Sequence, residues 1–328
     1  MNDRAAAILD NYEMQILRTW KGRGAILCET DQGIRILKEY RGGAERLERL
    51  NRLLNQIKEN GFSYVEEIIP NKEGDLFCID ADRVMYIVKS YYDARECNIR
   101  DEEECINAVA QLAKLHKAMV LPELVKELNI MELPVLREFE KRNRELHKIR
   151  RFLKQKSQKT DFEIFLTKQY DYFYDRAVDT QESLEKEDTK EWLAQILKEG
   201  TFCHGDFQYH NILVTDNRYQ LINFEKYSSD NPIKDLYLFM RKLLEKNNWD
   251  MKLGNDLLEA YGKERELSQE DICELGYRFC YPEKFWKIAN FYYNSPKSWI
   301  SYKNREKLEK LLLQEEAKEL FIERILKQ

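Results

Sequence analysis

Phe202-Cys203-His204-Gly205-Asp206-Phe207-Gln208-Tyr209-His210-Asn211-Ile212-Leu213-Val214 sets a carboxylate, Asp206, five residues before an amide, Asn211, and then runs straight into an apolar strand. The next strand, Gln220-Leu221-Ile222-Asn223-Phe224-Glu225, ends in an amide and a carboxylate. Gly205 permits the tight geometry such a loop needs. The spacing lets one turn of loop present Asp206 and Asn211 to the same anionic group.

That is the layout of a phosphoryl-transfer site. Asp206 accepts or orients the proton of an attacking hydroxyl, Asn211 ligates a Mg²⁺ that bridges phosphates, and a group at the end of the next strand completes the metal site. The last group is normally Asp, and here it is Asn223. An amide there removes a full charge from a metal that prefers hard anionic oxygens. Glu225 stands two residues on, and in a continuing strand i and i+2 share a face. Two outcomes follow: Glu225 supplies the missing charge, or catalysis is lost.

Upstream, Ile34-Arg35-Ile36-Leu37-Lys38-Glu39-Tyr40 alternates as a third strand would. A lysine so placed reaches the α- and β-phosphates of a nucleotide when a carboxylate on the following helix steadies it. Glu45 and Glu48 are the candidates, and Glu48 is preferred because it lies further into the helix. Gly22-x-Gly24 can cover phosphates with backbone N–H groups or serve as an ordinary hairpin turn.

The chain has 328 residues, enough for two lobes with a substantial core. Apolar residues are 43% and charged residues 34%, and the net charge of −5 argues against bulk nucleic-acid binding. The N-terminus lacks a basic-then-apolar signal pattern, and no apolar run reaches the ~20 residues of a membrane span. Seven cysteines, with no C-x-x-C, fit synthesis in a reducing cytoplasm. The scattered Cys and His residues offer no zinc-ligand cluster.

Residues 1–91 read as a small five-stranded antiparallel sheet around one helix. Its strands are Tyr12 to Trp20, Ala25 to Thr30, Ile34 to Tyr40, Asp75 to Ile79 and Arg83 to Lys89. Its helix runs from Ala44 to Glu59. From Asp101 the pattern is mainly helical, ending in one helix from Leu308 to Leu326. Two amphipathic patterns over about 134–183 meet at a polar break near Gln155 to Asp161 and predict a long helical hairpin. The Lys/Arg-rich face through Lys141, Arg142, Lys148, Arg150, Arg151, Lys154 and Lys156 reads as a solvated surface. His116 and His147 fit packed or solvent-facing helical positions. His210 lines the site without a chemical role, and His204 belongs to the structure of the loop.

Together these residues resemble the aminoglycoside-phosphotransferase and choline-kinase-like branch of the protein-kinase fold. The matching motifs are His204-Gly205-Asp206-x-x-x-x-Asn211, Ile222-Asn223-Phe224-Glu225, Pro232-Ile233-Lys234-Asp235-Leu236 and Leu112-Ala113-Lys114-Leu115-His116. More narrowly, the chain is similar to the CotS-type spore coat proteins of endospore-forming bacteria. That similarity rests on the Phe202–Asn211 run, on Ile222-Asn223-Phe224-Glu225-Lys226 and on Tyr92-Asp93-Ala94-Arg95-Glu96-Cys97. The resemblance implies an α+β, two-lobed kinase-like fold, with an N-lobe over 1–91 and a helical C-lobe over 92–328. It implies that Asp235 braces the catalytic loop 204–211. ATP, with Mg²⁺, would place its adenine against the hinge backbone at Lys89, Ser90 and Tyr91. The acceptor would dock on the 134–183 insertion.

The expectation is therefore a kinase-like protein made in the cytoplasm and carried in the spore coat, with nucleotide, a hydroxyl acceptor and coat proteins as partners. A catalytically dead scaffold of the same fold is the alternative. An antibiotic-modifying kinase ranks third: its polycationic substrate needs an acidic lining, which the Lys/Arg-rich helix does not offer and Asp101-Glu102-Glu103-Glu104 would offer if it faced the cleft.

Overall fold

The computed structural model describes residues 3–22, 24–216, 218–295 and 302–325. Arg23 of the glycine turn and Leu326 of the expected last helix lie outside the described residues. The chain forms two compact units, Met1–Leu124 with Phe202–Ser228, and Val125–Thr201 with Ser229–Gln328. The 92–124 segment and the 202–228 hairpin thus group with the first ninety residues.

The first unit opens with α1 (Asp3–Leu9), followed by β1 (Ile16–Lys21), β2 (Ile26–Thr30) and β3 (Gly33–Glu39). After α2 (Ala44–Glu59) come β4 (Ile68–Ile69), β5 (Cys78–Ile79) and β6 (Met85–Ser90). These strands form an antiparallel sheet of six in the order β1-β2-β3-β6-β4, with β5 also on β6. The sequence led to five strands and no α1. β4 was missed because two residues carry no periodicity to read. The helix α1 was missed because its apolar residues, Ala5, Ile8 and Leu9, only make sense packed beneath the sheet on Tyr12, Cys28, Leu37 and Val88.

The helix α2 has the bounds its pattern gave. Leu47, Leu50, Leu53, Leu54 and Ile57 are buried at helical spacing, and Glu45 and Glu48 fall on its exposed side. Then β7 (Arg95–Glu96) and α3 (Glu102–Ala118) follow. Asp101 caps α3 by accepting the Glu104 N–H at 3.1 Å. Glu104 takes both ends of the Arg95 guanidinium, at 2.8 and 2.6 Å. Two members of the acidic run, Asp101 and Glu104, are thus engaged in local structure, and Glu102 and Glu103 are exposed.

The short α4 (Pro122–Glu127) spans the junction of the units. The chain re-enters the first unit at β8 (Phe202–Cys203), whose Phe202 N–H donates to Met119 O at 3.0 Å. Next come β9 (Ile212–Thr215) and β10 (Arg218–Leu221), which make a small antiparallel sheet in the order β10-β9-β7. The end of β10 is tied to the loop before β4. Leu221 N–H donates to Tyr64 O at 2.9 Å, and Glu66 N–H donates to Leu221 O at 3.0 Å. That ladder fixes Glu66 beside Asn223.

The second unit is helical, beginning with α5 (Pro134–Gln155), α6 (Asp161–Leu184) and α7 (Thr189–Glu199). After β11 (Ser228–Ser229) at the junction it continues through α8 (Ile233–Lys246), α9 (Met251–Glu264), α10 (Gln269–Cys280), α11 (Glu283–Asn294), α12 (Tyr302–Leu313) and α13 (Glu315–Ile325). The expected single last helix is two, broken at Gln314, whose side chain donates to Glu245 O at 3.0 Å. Helices α5 and α6 pack together as a hairpin, and Thr160 and Glu163 start α6 as a capping box. Their shared core includes Phe139, Leu146, Ile149, Phe162, Leu166 and Phe173. The basic face of α5 is not all solvated: Arg142 turns inward, pairing with Glu138 and Glu283 and lying 4.5 Å over the Trp286 ring. Among the described residues, no helix is long and apolar enough to cross a membrane.

Candidate active site

The loop 204–211 is built around two constraints. Gly205 has φ 78°, and a Cβ on it would stand 2.1 Å from the Lys226 carbonyl oxygen, so only glycine fits. His204 is fully buried against the Phe224 ring, with centroids 4.3 Å apart. Its Nδ1 accepts the Asp206 N–H at 3.1 Å, which leaves Nε2–H to donate to Ile222 O at 3.0 Å. The histidine therefore pins the loop to the end of the following strand.

Asp206 faces a cleft of about 890 Å³ within the first unit. Gly22, Gly24, Lys38, Tyr91, Asn211 and Lys226 are among the residues that line it. The Asp206 carboxylate accepts from the Gln208 amide at 2.6 Å and from Lys226 Nζ at 3.0 Å. The Lys226 side chain is 67% exposed, so this pair is easily displaced.

Behind Asp206 lies a compact ionic cluster. Lys38 and Lys89 stand on the same face of the sheet, because Ile36 pairs with Lys89 and Lys38 with Ile87 across β3 and β6. Lys38 Nζ reaches Glu225 Oε1 at 2.7 Å and Asn223 Oδ1 at 3.3 Å. Lys89 Nζ reaches the same two atoms at 3.0 and 3.1 Å, and Glu66 Oε2 at 2.7 Å. Glu66 also accepts the Asn223 N–H at 2.8 Å and the Phe224 N–H at 2.9 Å. Asn223 itself adopts the left-handed conformation, φ 66°, which a short amide side chain tolerates.

From Asn223 a one-way chain of hydrogen bonds runs back to the loop. The Asn223 amide donates to Asn211 Oδ1 at 2.8 Å, and the Asn211 amide donates to Asp206 O at 2.8 Å. Its direction is forced, since the ammonium groups at one end only donate and the carbonyl at the other only accepts.

The expected carboxylate partners of Lys38 lie elsewhere. Glu48 is exposed, and Glu45 pairs with Arg49 along α2. The position on α2 that faces this cluster is Arg46, whose guanidinium donates to Glu225 O at 3.1 Å and Tyr227 O at 2.7 Å and stacks on the Tyr227 ring. Lys89 was expected to serve through its backbone, yet its side chain is only 3% exposed and enters the cluster. Beyond it, Ser90 Oγ donates to the Tyr92 hydroxyl at 2.9 Å, and Tyr91 lines the cleft. Asp235 is fully buried in α8 of the second unit.

Sequence reasoning missed Glu66 and the Lys89 side chain. The signal was present in Met85-Tyr86-Ile87-Val88-Lys89-Ser90, since a lysine inside a buried strand demands a carboxylate partner.

The three expected metal ligands do not fit a Mg²⁺ ion as they stand. Asn211 Oδ1 faces the Asn223 amide, while Asn223 Oδ1 and Glu225 Oε1 each carry two ammonium groups. Among the described residues there is no group of three or more His, Cys, Asp or Glu placed to hold a metal. Burial opposes the charge on Glu225, but Lys89 and Lys38 outweigh it and hold its pKa down to about 2, against an ordinary 4.5. Burial likewise opposes the charge on Lys89, and Glu66 and Glu225 more than offset it, so its pKa stands above the usual lysine value.

A depressed carboxylate contributes stability above its unfolded pKa and loses it as pH falls through the folded one. The melting temperature should therefore drop as pH falls from the ordinary 4.5 towards about 2. In Glu225→Gln that acid limb should be shallower. Thermal unfolding across the range checks this, and equal slopes in both proteins would rule out Glu225 as a contributor.

A family model described as "Spore coat putative kinase YutH" matches residues 5–325. The chain belongs to this family. Within curated proteins, spore coat protein S of Bacillus subtilis (strain 168) is 24% identical over 321 residues, covering 93% of this chain and 87% of that protein. Among solved structures, an aminoglycoside phosphotransferase from Alicyclobacillus acidocaldarius superposes with a TM-score of 0.84 at 19% identity, covering 98% of this chain and 95% of that one. A spectinomycin phosphotransferase in complex with ADP and spectinomycin gives 0.65 at 14% identity, covering 97% and 94%. These likenesses establish the α+β kinase-like fold of this spore coat family member.

Proposed function

We propose that this protein is a nucleotide-binding pseudokinase of the spore coat, which keeps the cleft of a phosphotransferase and has lost most or all of its turnover. The observation that carries this reading is the pairing of Glu225 Oε1 and Asn223 Oδ1 with both Lys38 and Lys89. Phosphoryl transfer runs largely on neutralising phosphate charge, and a metal does most of that work in related chemistry. Here two of the oxygens that would hold the metal, Glu225 Oε1 and Asn223 Oδ1, each already face two ammonium groups. On this reading Glu225 serves as the partner of two lysines rather than as the substitute ligand for a missing Asp.

Support for a coat role comes from family membership and from the Bacillus subtilis relative's name. Nucleotide as ligand is supported by the cleft, by Lys38 at its wall, and by the ADP bound in the spectinomycin phosphotransferase. A second reading, transfer to a hydroxyl with Asp206 as base, rests on the displaceable Lys226 that covers this carboxylate.

Turnover decides between the two. With ATP and Mg²⁺ or Mn²⁺, the purified chain should bind nucleotide and release or transfer phosphate no faster than a Asp206→Asn control. Asn223→Asp alone should not restore turnover, because the new carboxylate meets two ammonium groups. Phosphate transfer that disappears in Asp206→Asn would overturn the pseudokinase reading in favour of the second.

A further inference from the structure

Resting on that nucleotide reading, we infer that Lys89 is the resident cation of the cleft, and that the cleft takes a nucleoside di- or triphosphate without a divalent metal.

The cluster holds two ammonium groups, Lys38 and Lys89, and two carboxylates, Glu66 and Glu225. Its formal charges cancel before any ligand arrives, and with Lys38 drawn onto the phosphates Lys89 still offsets one of the two carboxylates. A Mg²⁺ ion needs several oxygen ligands in near-octahedral array at about 2.1 Å, and it sheds water reluctantly. Binding to Glu225 Oε1 or Asn223 Oδ1 would set it against two ammonium groups, held at 2.7 to 3.3 Å from those atoms. Lys38 can turn away, but an ion there would still meet Lys89. Lys89 has nowhere to go: its side chain is 3% exposed and its third partner is the buried Glu66.

Lys38 differs. Its side chain is 29% exposed and it lines the cleft. When it swings towards an incoming phosphate, Glu225 keeps Lys89 on the same oxygen and does not become a bare carboxylate facing an anion. That is the service a metal ordinarily performs between a carboxylate and a polyphosphate. Lys226 supplies a second mobile ammonium at the wall by leaving Asp206, which retains the Gln208 amide as a partner. Two movable lysines thus meet the phosphates while the buried one holds the protein's own charge in check.

Calorimetric titration of the full chain with ATP, once in Mg²⁺ and once in EDTA, tests the assignment. The wild type should bind ATP in EDTA within about threefold of its affinity in Mg²⁺. Lys89→Met removes the one ammonium that stays on Glu225 when Lys38 turns to the phosphates and leaves both carboxylates uncompensated, so Mg²⁺ should now tighten ATP by about tenfold or more. Lys89→Arg, which keeps the charge, should remain indifferent to the metal. Wild-type binding that is more than about tenfold tighter with Mg²⁺ overturns the inference and leaves the nucleotide reading standing. Absence of ATP binding in both buffers overturns the nucleotide reading and the inference with it. The wild-type comparison decides even if Lys89→Met fails to fold. A folded Lys89→Met that stays metal-indifferent overturns the role given to that lysine.

Discussion

Glu66→Ala is expected to lower stability by about 3–5 kcal/mol, the range seen when one partner of a buried ion pair is removed. Glu66 is 1% exposed and its carboxylate accepts three hydrogen bonds, from Lys89 and from the N–H groups of Asn223 and Phe224. Truncation leaves two backbone donors without their acceptor, and it leaves the Lys89 ammonium dependent on a carboxylate it shares with Lys38. Glu66→Gln keeps a carbonyl oxygen for the backbone donors and should cost less. Chemical denaturation of the three proteins measures both differences. A loss below about 1 kcal/mol in Glu66→Ala would mean that the cluster is not an integrated unit.

The second large effect is expected at Gly205. An alanine there combines a strained positive φ with a Cβ placed 2.1 Å from the Lys226 carbonyl oxygen. Either the 204–211 loop or the turn at Phe224–Lys226 has to move, at a cost of about 2–4 kcal/mol. Because Asp206 and Lys226 flank that contact, their ion pair should break as well, and ATP affinity should fall alongside stability. A Gly205→Ala variant with wild-type denaturation midpoint and wild-type ATP affinity would show that the close approach is dispensable.

Both effects trace to residues whose legibility in the sequence differs sharply. Gly205 could be read directly, since it sits in a motif whose spacing is local, although the Lys226 carbonyl that excludes a Cβ there could not. The same holds for α2, where Leu47, Leu50, Leu54 and Ile57 at helical spacing and Gly61 beyond them marked its extent, and Leu53 is buried with them. Glu66 could not be read that way. It lies in an irregular loop, 157 positions in sequence from the Asn223 N–H it accepts, and nothing local distinguishes it from its neighbour Glu67. Lys89 was recognised as important for the wrong atoms: the strand register that turns its side chain towards Lys38 is a property of the β3–β6 pair, not of either strand alone. The preference for Glu48 failed for a related reason. Helical periodicity says which residues of α2 are buried, but not which of the others faces a turn 179 positions away. That position belongs to Arg46.

The hydrogen-bond chain from Lys89 through Asn223 and Asn211 to the Asp206 carbonyl has a direction, and that has a consequence for how such a protein can change. Replacing one nitrogen by oxygen at position 223 removes the donor in mid-chain. Asn211 must then turn over to offer its own amide to the new carboxylate, and the Asp206 carbonyl loses the donor that held the loop. Lys89 at the same moment gains a full opposing charge where it had a neutral dipole. Positions 89, 211 and 223 are consequently coupled, since a change at one alters what the other two can bond to. A path back towards a metal-binding carboxylate passes through intermediates in which either the loop is unlatched or a buried ammonium is mismatched, so single steps lead downhill in stability before any gain in chemistry.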